Sequence, residues 1–110
     1  MSMRLDWGGD AVHERYLRAC ERAVNETAAA CVRQAKQNHP GWQNRTGTAE
    51  GAVGIVEPAQ REGSRVVAVW GDAEGVEYMP YLEFQHGHFL MNAAAAEYPK
   101  LKGRIRAHAK

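Results

Sequence analysis

Three observations predict an α+β fold in which a long N-terminal helix and a C-terminal helix pack on a small antiparallel β-sheet of three to four strands. Small apolar residues recur at three- and four-residue steps from Val12 to Ala35, the period of a helix with one buried face. Two short apolar runs, 51–58 and 65–70, are separated by Arg61-Glu62-Gly63-Ser64, the pattern of two strands and a turn. The stretch 76–96 then passes from aromatic and acidic residues through Gly87 into an alanine-rich run, which reads as strand, tight corner and helix. A chain of 110 residues is expected to form one domain, small enough for an oligomeric partner to matter to its stability.

The elements follow in order. Residues 1–9 form an N-terminal arm in which Trp7 is placed to fold back on the first helical turn and Asp10 to cap it. The long helix spans 10–38, its stripe made of Val12, Tyr16, Cys20, Val24, Ala28, Cys31 and Ala35, with Arg15, Arg18, Glu21, Arg22, Glu26, Arg33 and Lys36 outside. His39-Pro40-Gly41 ends it, because the residue before proline is pushed out of helical geometry. A polar loop follows, carrying Trp42, Arg45, Thr46 and Gly47, where the Trp either pins the loop to the core or offers a contact. The sheet is expected within 51–84. Its first strand, 51–58, is ended by Pro58 or placed by it at an edge. RVVAVW, 65–70, is apolar on both faces and suits the sheet centre, and 76–79 returns as a third strand until Pro80. The last helix and a basic tail occupy 88–110. Pro99 should kink or restart this helix, and KLKGRIRAHAK, poor in apolar residues, is expected to become ordered in an assembly.

Composition excludes several classes. Apolar and charged fractions of 45% and 25% are those of ordinary globular proteins, not of disordered or fibrous ones. No apolar run reaches roughly 18 residues and the N-terminus lacks the apolar centre of a signal peptide, so a soluble, intracellular protein with no membrane partner is expected. Cys20 and Cys31 lie about 16 Å apart along one helix, too far to bridge, yet only about 20° apart in angle, so both are expected in the core. Net charge is +1, but its distribution is uneven. Asp72, Glu74, Glu77 and Glu83 occur with no base between them, and Lys100, Lys102, Arg104, Arg106 and Lys110 follow Glu97 with no acid. Such asymmetry suits a head-to-tail contact between subunits, a nucleic-acid-facing tail or a solvated helix face.

Catalytic and metal patterns are sparse. No phosphate-cradling glycine loop, His-Glu-x-x-His or nucleophile elbow is present, and His86 and His88 alone do not make a metal site, so no catalytic, cofactor or metal residue is assigned. Glu83 among aromatics has two readings, a general acid working with His86 or His88, or a carboxylate bonded to the backbone of the corner.

The order of these features resembles the phage tail-completion or head–tail joining proteins, small neck components of long-tailed phages and prophages also described as minor tail or minor capsid proteins. The residues that carry the resemblance are Leu5-Asp6-Trp7 at the start, the long amphipathic helix, Pro40 and Thr46-Gly47. They continue with Gly71 after a strand pair, then Tyr78, Glu83 and Gly87, and Phe89-Leu90-Met91-Asn92-Ala93 at the start of the last helix. Relative to the family pattern, Gly41 to Arg45 intervene before the Thr-Gly pair, and the Glu-x-Gly motif is stretched to Glu83-Phe84-Gln85-His86-Gly87. The resemblance implies a structural virion component without enzymatic activity or cofactor, assembled as a ring between the head connector or stopper and the tail tube. The expected contact residues are Trp42, Arg45, Thr46, Gly47, Asp72, Glu74, Tyr78, Tyr81, Glu83, Gly87, Phe89, Arg104 and Arg106, with the acidic segment of one subunit facing the basic tail of the next. The alternative is a small nucleic-acid-binding domain that uses the basic C-terminal tail, or such a tail touching DNA in a channel.

Overall fold

A computed structural model describes residues 2–8, 14–39, 51–63, 65–76, 79–80, 83 and 87–109. Strand β1 (Ser2–Gly8) is followed by helix α1 (Glu14–Gln37), strands β2 (Val53–Glu62) and β3 (Arg65–Asp72), helix α2 (Phe89–Glu97), a 3-10 turn (Tyr98–Lys100) and helix α3 (Leu101–Ala109). The three strands form one antiparallel sheet in the order β1-β3-β2. The class is α+β, as the periodicities predict.

β3 holds the centre because its side chains suit burial on both sides. Val66, Ala68 and Trp70 enter the core shared with the helices, while Val67, on the opposite face, is also buried. There Arg4 and Glu62, brought to that face by their register with Val69 and Arg65, join across β3 at 3.0 Å. The pair is half exposed and contributes at most about 1 kcal/mol, but its aliphatic stems shield apolar surface.

The N-terminal arm expected over 1–9 is instead an edge strand. Its backbone runs in register with β3 from Ser2↔Gly71 to Gly8↔Arg65, with Leu5 opposite Ala68 and buried. The physical reason lies in Met3 and Leu5, two residues apart and turned to the core, a strand period; the side chain of Trp7, expected to fold back on the helix, lies outside the described residues. A second correction follows from the first. Val76 lies outside any strand and Met79 and Pro80 are helical, with the Met79 N–H donated to the Val76 carbonyl at 3.1 Å; residues 77 and 78 lie outside the described part. With β1 and β2 on either side, β3 has no open edge for a strand at 76–79, and Pro80 could not donate to a ladder.

β2 reaches Glu62, so Pro58 does not end it; of the two expectations for Pro58, the edge position is the one the sheet order shows. It is an edge strand, where proline is tolerated, and two irregularities accommodate it: Val56 is an extra residue between Ile55 and Glu57, and the register shifts again between Glu57 and Gln60. Within the second irregularity the Ala59 N–H is donated to Asn25 Oδ1 of α1 at 2.7 Å. The strand thus leaves its ladder but keeps this donor satisfied.

α1 presents a face of small residues to the sheet and to α2. Ala19, Cys20, Ala23, Val24, Thr27, Ala28, Ala30, Cys31 and Ala35 are all buried, and small side chains allow close backbone approach. Both cysteines are buried and unbridged, as their spacing predicts. Tyr16, expected on the buried stripe, is exposed instead, and the first expected turn, 10–13, lies outside the described residues. Pro99 does restart the helix: a 3-10 turn separates α2 from α3. The tail expected to order in an assembly is helical within the single chain, with Leu101 and Ile105 buried in the core. Trp70 is fully buried, and its indole N–H is donated to the Tyr98 hydroxyl at 3.0 Å, fastening sheet to 3-10 turn.

Candidate interaction surfaces

The corner before α2 is built around Glu83. A helix leaves its first N–H groups without intrahelical acceptors, and an N-cap side chain usually supplies one. Here the N-cap is His88, in the left-handed region (φ 51°), and its side chain makes no capping bond. Glu83 takes that role from upstream: its fully buried carboxylate accepts the N–H of Leu90 at 2.9 Å and of Met91 at 3.0 Å, and its carbonyl accepts the His88 N–H at 2.7 Å. Asn92 closes the other side, its Nδ2 donating to the Gly87 carbonyl at 2.9 Å. Gly87 has φ 116°, which explains a glycine there. Of the two sequence readings of Glu83, the geometry is that of a carboxylate bonded to the backbone of the corner.

A second polar cluster joins the C-terminal helices to α1. Glu97, buried at the end of α2, accepts from Arg104 at 2.6 Å, Lys100 at 3.1 Å and Gln34 at 3.3 Å. The Arg104 hydrogen bond, assisted by those of Lys100 and Gln34, holds the Glu97 carboxyl below its usual value despite the opposing effect of burial. Arg104 also donates to Thr27 Oγ1 at 3.1 Å and lies 3.7 Å from Glu26, whose other oxygen meets His108 at 2.6 Å. Beneath this cluster the Cys31 thiol is pushed up to about 12, by burial first and by the nearby Glu97 second. Cys20 is raised too, by burial and then by Glu21. Neither thiol is a nucleophile at neutral pH in the folded chain.

The expected contact residues divide accordingly. Trp42, Arg45, Thr46, Gly47, Tyr78 and Tyr81 lie outside the described residues, as does His86. Phe89 is buried, with the His39 ring edge-on at 6.5 Å, and Glu83 is spent on capping. Asp72 is mostly buried at the end of β3 and its Oδ1 accepts the Glu74 N–H at 3.2 Å. Arg104 is turned into the cluster with Glu97. Glu74, Gly87 and Arg106 are exposed. A contact between acidic segment and basic tail would therefore draw, among these, on Glu74 and Arg106 rather than on Glu83 and Arg104.

Two features escaped the sequence reading. Ile55 and Val56 on β2 are 40% and 42% exposed, side by side at the first bulge of an edge strand. By its register Ile55 shares the face of the buried Trp70, and no local signal in the sequence announces the bulge that follows it. The Glu97 cluster does have a sequence signal, since Lys100 and Arg104 follow at three and seven residues, positions that share a helical face. Among the described residues no three His, Cys, Asp or Glu side chains gather as metal ligands, and no helix is long and apolar enough to cross a membrane. Comparison with protein-family models, with curated proteins and with solved structures finds no significant match for the chain.

Proposed function

We propose that the chain is a self-associating structural subunit of a phage or prophage virion, a tail-completion or head–tail joining protein that assembles as a ring at the neck. The observation that carries the self-association is the apolar pair Ile55 and Val56 on the open side of β2. Apolar side chains at a sheet edge expose the chain to association, and proteins commonly blunt such edges. Here the ladder is blunted, by Pro58 and two register shifts, while the apolar pair is left in place. That combination favours side-chain packing against a neighbour over addition of a strand. A ring needs heterologous contacts, in which the pair on one subunit meets a different surface on the next. The placement in the virion neck rests on the resemblance in the order of sequence features. Assembly would take place in the host cytoplasm, with the head connector or stopper and the tail tube as further partners.

The test is light scattering on the wild-type chain and on the double variant Ile55→Asp/Val56→Asp. Ile55 and Val56 are 40% and 42% exposed, so the variant should keep its helical circular dichroism and lose about 2 kcal/mol of stability at most, chiefly strand propensity. Wild type is expected to form a multimer and the variant a monomer. A variant that assembles like wild type would remove this surface from the contact.

A further inference from the structure

The sheet ends in two edges, and they are unlike. The β2 edge carries Pro58, two register shifts and the exposed Ile55 and Val56. The β1 edge is regular: its pairing with β3 runs unbroken from Ser2↔Gly71 to Gly8↔Arg65, and among the described residues no strand lies on its far side. A strand edge of this kind invites a neighbour. Because β1 and β2 both run antiparallel to β3, they are parallel to each other, and the register matches them row by row. Ile55 and Met3 both stand opposite Trp70, and Glu57 and Arg4 both stand opposite Val69. The first row is on the core face, where Met3 is half-buried against the core and Ile55 is exposed. The second row is on the other face, and there the two edges carry opposite charge. Glu57 is exposed and forms no ion pair with any described residue, whereas Arg4, also exposed, is joined to Glu62 at 3.0 Å.

We infer that self-association joins the β2 edge of one subunit to the β1 edge of the next, strands running in the same direction. Ile55 then packs beside the partner subunit's Met3, and Glu57 meets the partner subunit's Arg4. Neighbouring strands lie about 4.8 Å apart, close enough for side chains in one row to touch. Arg4 can serve two carboxylates, since a guanidinium has five N–H donors and Glu62 is held through one terminal nitrogen. The contact is heterologous and leaves a free edge of each kind at the ends of any open chain of subunits. This inference rests on the self-association proposed above and names the surface that receives Ile55 and Val56.

The experiment is sedimentation velocity on full-length chains, at a concentration well above that at which wild type assembles. Arg4→Glu sets a carboxylate against the partner's Glu57 and should weaken association at least tenfold, with the circular dichroism of wild type. Adding Glu57→Arg to it should restore the multimer. An equimolar mixture of Arg4→Glu with Ile55→Asp/Val56→Asp should give dimers and nothing larger, because the intact β2 edge of the first can meet only the intact β1 edge of the second. Wild-type assembly by Arg4→Glu, a mixture that stays monomeric, or no rescue by Glu57→Arg would overturn the inference while leaving self-association standing. Loss of assembly in Arg106→Glu but not in Arg4→Glu would also overturn it, moving the contact to the basic tail. A wild type that is monomeric throughout would remove both readings.

Discussion

Glu83 shows how much a single residue can settle. Its carboxylate is fully buried and holds the N–H groups of Leu90 and Met91, so removing it strands two donors at a helix start that His88 does not cap. Glu83→Ala should lower unfolding stability by about 2–3 kcal/mol in denaturant titrations, with Glu83→Gln recovering part of the loss because one amide oxygen can still accept. A loss below about 0.5 kcal/mol would show that the corner is held by other contacts. Glu97 makes a different prediction. Its folded carboxyl titrates below the ordinary value because Arg104 and its neighbours favour the charged form. Its contribution is therefore fully present above the unfolded value near 4.5 and is lost as pH falls through the depressed folded value. In acid titrations Glu97→Gln should flatten the stability profile below about pH 4.5 and lower the plateau near neutrality, where Arg104 and Lys100 lose their counter-charge. An unchanged acid slope would mean that the cluster does not couple to folding. The role of Glu83 was legible in its position among aromatics ahead of a glycine, whereas the depth of Glu97 was not, because a lone acid before a basic run looks like a surface residue.

At the scale of elements, periodicity told helix from strand for α1 and the sheet centre, and tertiary competition decided much of the rest. The α1 stripe and the central place of 65–70 were legible because burial imposes a single period on each. β1 was missed although Met3, Leu5 and Trp7 alternate, because seven residues before a glycine pair also suit an arm. The strand expected at 76–79 failed for a reason no local pattern contains: β1, from the far end of the chain, takes the second edge of β3. The extent of β2 was hidden by Pro58, since an edge strand with bulges tolerates a proline that a central strand would not. α3 was underrated because its buried apolar anchors are two, Leu101 and Ile105, and it is also attached by Arg104 and His108 reaching α1. Ile105→Ala should accordingly cost about 2–4 kcal/mol, the range for truncating a buried aliphatic side chain. Equilibrium unfolding by urea checks it, and a change under about 0.5 kcal/mol would return 101–109 to the standing of a loosely attached tail.

At the scale of the whole molecule, an apolar pair stands at a blunted sheet edge beside a core made from small α1 residues and the large Trp70, Phe89, Met79 and Leu90. A domain of this size buries a modest share of its surface, and association would add to the stability its own core supplies. The proposal of self-association has two independent supports, the order of motifs in the sequence and the exposed Ile55 and Val56, and closure into a ring rests on the first alone. Native mass spectrometry of the full-length wild-type chain, over a range of protein concentrations, tests that expectation most directly. The account predicts one dominant closed species at a fixed integer multiple of the subunit mass, persisting on dilution until it gives way to monomer. A monomer at every concentration, or an open-ended ladder of masses with no preferred closure, would contradict a self-associating ring.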